Sequence, residues 1–125
     1  QRKQCWIAHT HDDAGFVDRY TKLRLDVADL GTLYSRYIEK VKRGEPLGPD
    51  VSMLKVFATD TFSNLADLLI EVGGCAGAQR GDASLGDTHV DLMTSWFNAR
   101  PATIYGGSNQ IQRNILATQV LRLPS

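Results

Sequence analysis

Tyr20 to Lys42 reads YTKLRLDVADLGTLYSRYIEKVK, and its apolar residues decide the fold class. Tyr20, Leu23, Val27, Leu30, Tyr34, Tyr37 and Val41 alternate spacings of three and four, which puts all seven on one helical stripe. Lys22, Asp26, Asp29, Glu39 and Lys40 fill the rest as a solvated face. The pattern predicts a helix from Asp12 or Asp13 to about Lys42. Gly31 costs it about 1 kcal/mol relative to Ala and reads as either close packing or mere tolerance.

Working outward, KRGEPLGPD (42–50) stops that helix with basic residues in the last turn, Gly44 as a cap and two prolines. Asp50 reads as the N-cap of a second helix ending near Gly73. There Val51, Leu54, Ala58, Thr61, Leu65, Leu68 and Val72 repeat the rhythm, widened by Phe57, Phe62 and Leu69. The short connector implies an antiparallel hairpin of the two helices. GGCAGAQRGDASLGD (73–87) reads as a long Gly-rich loop of the kind that is functional or mobile. A third helix is predicted over Thr88–Asn98, burying Val90, Met93, Trp96 and Phe97. The fourth starts at the Gly-Gly-Ser of IYGGSNQIQR (104–113) and runs to about Leu121, with Ile111, Ile115, Leu116 and Val120 inward. No sustained period-two alternation marks a strand. The fold class is all-α, an antiparallel four-helix-bundle-like domain. Its two long stripes are too broad for two helices to cover, so further helices or a second subunit should pack here.

The chain of 125 residues suits one domain with one core. Lys plus Arg and Asp plus Glu number 14 each, so no net field draws it to nucleic acid or an anionic membrane. No run reaches the ~20 apolar residues of a membrane span. Cys5 and Cys75 are too few and too distant for a disulfide framework or zinc site, which points to a reduced, cytoplasmic compartment. QRKQCWIAHTHD (1–12) begins in mid-pattern and reads as the tail of a preceding helix, with residues 13–125 forming the bundle domain.

The polar candidates are few. Helix-start N–H groups lack internal partners and carry partial positive charge. Gly106 and Gly107 let a ligand or a backbone approach closely, and Ser108 can cap the helix. Asn109 and Gln112 have capping-box spacing. This turn is either a site for a phosphate or flat polar ring, or only a loop and cap. Gly73-Gly74-Cys75-Ala76-Gly77 follows a helix, lacks the Lys-Ser/Thr of a phosphate loop, and reads first as a C-cap and turn. His9, His11 and His89 lack metal-ligand spacing, so no metal is expected. No nucleophile elbow is present.

LIEVGGCAG (68–76) together with ARPATIYGGSNQIQRNILATQVLRLPS (99–125) resembles the C-terminal helical domain of the acyl-CoA dehydrogenase family. The likeness runs from about Trp6 to Ser125, and GEPLGPDVSMLKVFATD (44–60) adds the family's lysine at Lys55. The resemblance implies a flavoenzyme oxidising an acyl-CoA thioester to enoyl-CoA, with FAD as cofactor and acyl-CoA as substrate. Fatty-acid or steroid side-chain β-oxidation would be its setting. It implies a homo- or hetero-oligomer, dimer or tetramer, formed through the bundle. Ser108, Asn109 and Gln110 align with residues contacting the FAD of their own subunit. Gly73 and Gly74 align with a pair lying against the neighbouring subunit's FAD, and Gly107 with a glycine whose backbone approaches substrate. Ile70 stands where the family often has Gln, three residues before the pair.

Gly106 is the main departure. Many members carry their catalytic glutamate here, and glycine cannot remove a proton. In one subset the base lies on an earlier helix of the domain, and in some bacterial heterotetramers one subunit lacks it. The expectations are therefore a dehydrogenase domain whose base lies outside this chain, a non-catalytic subunit, or a stand-alone oligomerising bundle without flavin.

Overall fold

The computed structural model describes residues 12–85 and 87–124. The predicted helix tail over residues 1–12 lies almost wholly outside the described residues. Helix α1 spans Ala14–Lys42, α2 Ser52–Gly77, α3 Leu92–Ala102 and α4 Asn109–Ile115. α2 is the hub, packing against each of the other three helices. The all-α class holds.

Each end of α1 has a chemical cause. Asp13 caps it, accepting from Gly15 N at 2.8 Å and Phe16 N at 3.3 Å. At its C-terminus Gly44 N donates to Val41 O and Glu45 N to Lys40 O, both at 3.0 Å, with Gly44 at φ +73°. That paired closure requires the left-handed conformation glycine adopts without penalty.

Asp50 is not a simple N-cap. A single 3-10 turn, Pro49–Val51, leads into α2. The Asp50 side chain turns back to α1, where the buried Tyr37 hydroxyl shares its proton between Asp50 O at 2.8 Å and Oδ2 at 3.0 Å. Lys40 Nζ lies 3.5 Å from the same carboxylate. The Tyr37 hydrogen bond holds the Asp50 carboxyl below its usual range, while burial, then the Asp50 contact, pushes the Tyr37 phenol up. The signs differ. Asp50 stabilises the fold above the ordinary carboxylate range and loses this as pH falls through its depressed value. Tyr37 stabilises it below the ordinary phenol range and loses this as pH rises through its elevated value. Tyr37→Phe should cost about 1 kcal/mol at neutral pH, discounted for the half-exposed Asp50. Chemical melts across pH should show the gap to wild type narrowing at both extremes; a pH-independent gap would refute the assignment.

Four boundaries differ from the sequence expectation: the end of α2, both ends of α3, which runs to Ala102 and not Asn98, and the end of α4. α2 runs past Gly73 to Gly77, broken at Gly74, whose φ 50° and ψ −131° are not helical. The Gly-rich segment then forms a two-stranded antiparallel ribbon, β1 Ala83–Leu85 with β2 Thr88–Val90, pairing Ser84 with His89. Strands of three residues are too short for alternation to register in the sequence. The third helix accordingly starts at Leu92, where Asp91 caps it through Thr94 N at 2.9 Å. The fourth is α-helical only to Ile115 and continues as a wide π turn, Leu116–Val120.

Phe16, Leu23 and Leu68 form the α1–α2 core, with Val72 against it. α2 packs on α3, and the small residues Ala66 of α2 and Ala99 and Ala102 of α3 are all nearly inaccessible. Gly73 belongs to this contact: a Cβ there would lie 2.7 Å from Leu92 Cδ1. Tyr20, Val27, Tyr34 and Val41 on the α1 stripe stay exposed.

Candidate functional site

The turn between α3 and α4 is shaped by its own hydrogen bonds. Asn109 N donates to Thr103 O at 2.9 Å, closing the loop at its base. Ser108 caps α4, its Oγ accepting from Ile111 N at 3.3 Å and its carbonyl from Gln112 N at 2.9 Å. Gly106 and Gly107 both have positive φ, +68° and +89°. A Cβ on Gly106 would meet nothing within 4 Å, so this residue faces open space. The Gln112 amide, not that of Asn109, reaches back over the turn, donating from Nε2 to Gly106 O at 3.2 Å.

Asn109 and Gln110 part company. Gln110 is exposed, whereas Asn109 is 3% exposed and turned into the domain. Its Oδ1 accepts from Lys55 Nζ at 2.8 Å, and its Nδ2 donates to Asp60 Oδ1 at 2.8 Å and Thr59 Oγ1 at 3.0 Å. Asp60 Oδ2 pairs with Arg113 at 2.8 Å, one turn further along α4. Sequence reasoning named Lys55 but missed Thr59, Asp60 and Arg113 as partners. The available signal was the polar run in the midst of the α2 stripe.

Beside the turn lies a groove of about 690 Å³. α1 contributes Val27, Leu30 and Tyr34; α2 contributes Leu54, Lys55 and Ala58; the turn contributes Gly106 and α4 contributes Gln112. Gly31 also lines it, with nothing within 4 Å of an added Cβ, so this glycine leaves space rather than permitting tight helix contact. Lys55 is the sole charged lining residue among those described, and the lining holds no carboxylate. The walls suit an apolar chain, and nothing in the lining can act as a proton-abstracting carboxylate.

Gly73 and Gly74 are not brought to this turn. They stand thirteen residues beyond Asp60 on α2, about 20 Å along a helix at 1.5 Å per residue. Among the described residues no cluster of His, Cys, Asp or Glu could hold a metal ion, and no helix is long and apolar enough to cross a membrane.

A further polar cluster, unnamed in the sequence reading, joins α2 to α3. Trp96 Nε1 donates to Asp67 Oδ1 at 2.7 Å, Arg100 pairs with the same carboxylate, and its guanidinium lies 4.4 Å from the Trp96 ring centroid. It braces the helix that carries the turn.

Residues 8–121 match the family described as acyl-CoA dehydrogenase, C-terminal domain. The chain is 41% identical over 71 residues to acyl-CoA dehydrogenase IpdE1 of Mycobacterium tuberculosis, covering 56% of this chain and 17% of that protein. It is 36% identical over 70 residues to acyl-CoA dehydrogenase IpdE1 of Mycolicibacterium smegmatis, with the same coverage of 56% and 17%. The matched region thus spans less than a fifth of either relative. No solved structure matches significantly. With a bundle hinged on α2, a glycine turn entering α4, and a family match over nearly the whole length, the chain belongs to the acyl-CoA dehydrogenase family.

Proposed function

We propose that this chain is the flavin-contacting, oligomer-forming C-terminal domain of an FAD-dependent acyl-CoA dehydrogenase of the cytoplasm, with the catalytic base supplied from outside the chain. The observation that carries this reading is the acid-free apolar groove meeting Gly106. FAD, when bound, supplies the acceptor for the hydride leaving the acyl β-carbon. The residues here fit one edge of such a group: two Cβ-free residues in an outward turn, a capping Ser108, and an exposed Gln110.

In this reading Val27, Leu30, Leu54 and Ala58 take the acyl chain out of water, and the Gly107 backbone lies against the thioester. Ser108 and Gln110 hold the flavin from the turn. Gly73 and Gly74, about 20 Å further along α2, face a second flavin in the neighbouring subunit. The exposed Tyr20, Val27, Tyr34 and Val41 support association, since a row of large apolar residues gains by leaving water. Proton removal at the acyl α-carbon falls to a group beyond this chain, because Gly106 has no side chain to accept it.

The same acid-free groove favours a second reading, a non-catalytic subunit of a heteromeric dehydrogenase. Anaerobic mixing of the full-length FAD-loaded protein with a panel of acyl-CoA thioesters separates the two. Bleaching of the visible flavin band is the expected result. A protein that retains FAD but bleaches with no thioester fits the second reading. Failure to take up FAD at all removes both and leaves a stand-alone bundle.

A further inference from the structure

We propose that Asn109 is a positioning residue that sets the Gly106–Ser108 turn through α2, and not a contact to a ligand. This rests on the reading of that turn as the edge of a flavin and thioester site, and it departs from the alignment, which put Asn109 among the flavin-contacting residues.

The side chain is 3% exposed and its hydrogen-bonding capacity is spent inside the domain. An amide carries two donors and an acceptor oxygen. Both donors are taken, by Asp60 Oδ1 at 2.8 Å and Thr59 Oγ1 at 3.0 Å. The oxygen takes Lys55 Nζ at 2.8 Å. The Thr59 proton has its own acceptor in Lys55 O at 2.9 Å. This fixes which way the amide points. A flip would set its NH2 against an ammonium and its oxygen against a carboxylate.

The backbone of the same residue is tied in the opposite direction, through Asn109 N to Thr103 O at 2.9 Å. Asn109 thus joins three things: the base of the Thr103–Asn109 loop, the first residue of α4, and three side chains from two successive turns of α2. Asp60 extends the clamp, since its second oxygen holds Arg113 at 2.8 Å. Gly106 and Gly107 contribute no side chains, so their own segment is held only through its backbone, where Gly106 O accepts from Gln112 Nε2 at 3.2 Å. With two positive-φ glycines in sequence, the conformation of the turn depends on what anchors its end. Ser108, immediately before Asn109, inherits the position this clamp sets.

The decisive test uses the 125-residue chain, read by amide hydrogen exchange. Asn109→Ala should speed exchange at the Asn109–Gln112 amides about tenfold or more, with the middle of α1 unchanged within about twofold. The polarity swap Asn109→Asp with Asp60→Asn should return those amides to within about threefold of wild type. In the swap, the new carboxylate accepts from Lys55 and from the new amide, the Thr59 hydroxyl turns from Lys55 O to donate to it in place of accepting from it, and the exposed Arg113 pair is lost. Should Asn109→Ala fail to fold, Lys55→Met keeps the apolar stem and removes a single donor; its effect should likewise be confined to the turn. Unchanged turn amides, uniform loosening of all helices, or a swap as disruptive as Asn109→Ala would each overturn the proposal.

A second readout ties the clamp to function. In the full-length FAD-loaded protein, Asn109→Ala should alter the visible circular dichroism of the flavin, and the swap should restore it. An unchanged flavin signal alongside a loosened turn would also overturn the proposal. If the wild-type protein takes up no FAD, the functional reading fails, while the exchange experiment still decides whether Asn109 sets the turn.

Discussion

Gly107→Val is expected to weaken FAD binding to the full-length protein about ten- to hundredfold, the equivalent of 1–3 kcal/mol of backbone strain. Gly107 sits at φ +89°, a region where a β-branched residue is a true outlier. An added Cβ would also lie 2.6 Å from Gln112 Nε2, the amide that donates to Gly106 O. Gln112 can swing aside, but only by abandoning that carbonyl. Both relaxations distort the turn that presents Ser108 and Gln110. Gly106→Ala is the matching control: its φ of +68° carries a penalty, yet nothing lies within 4 Å of the new methyl group. Titration of FAD followed by fluorescence checks both variants. Equal affinities for Gly107→Val and wild type would remove the turn from the flavin site.

Leu23→Ala should lower the unfolding free energy of the domain by about 2–5 kcal/mol, the range for deleting a buried leucine. Leu23 is 6% exposed and packs with Phe16 and Leu68, with Val72 at the margin, where α1 and α2 cross. Total stability of such a domain is about 5–15 kcal/mol, so this one truncation removes a large part of it. The effect bears on function because the groove is walled by these same two helices. Nearby ion pairs such as Arg19–Glu71 are exposed and compensate little. Leu25→Ala is the control, since Leu25 is 62% exposed and should shift stability by no more than about 0.5 kcal/mol. Urea melts followed by helical circular dichroism measure both; equal losses would mean that the α1–α2 core lies elsewhere.

Periodicity located α1 to within two residues because seven regularly spaced apolar residues admit one reading, and the Gly44 stop follows from glycine's freedom at positive φ. The same logic overran at Thr88, because a three-residue strand leaves no periodic trace. It also mislabelled Asp50, whose preference between capping α2 and meeting Tyr37 depends on α1 lying alongside.

In the candidate site, the two glycines and the Ser108 cap were legible as local chemistry. The fate of Asn109 was not. Its spacing to Gln112 suggested a capping role, but the partners that claimed it lie some fifty residues earlier, on α2.

By itself the sequence determined the helices, the turn at Gly106–Ser108 and the absence of a glutamate at that point, since these depend on neighbours within a few residues. Only the tertiary structure decided that the small residues Ala66, Ala99 and Ala102 would be nearly inaccessible and that Gly73 would lie tight against Leu92. Small side chains leave little hydrophobic signal, so the large apolar residues of α1 appeared to be the core while several of them remain exposed. Tertiary structure also settled the direction of Asn109. A buried amide goes where its donors and acceptor are all satisfied, and that place exists only once α2 and α4 have met.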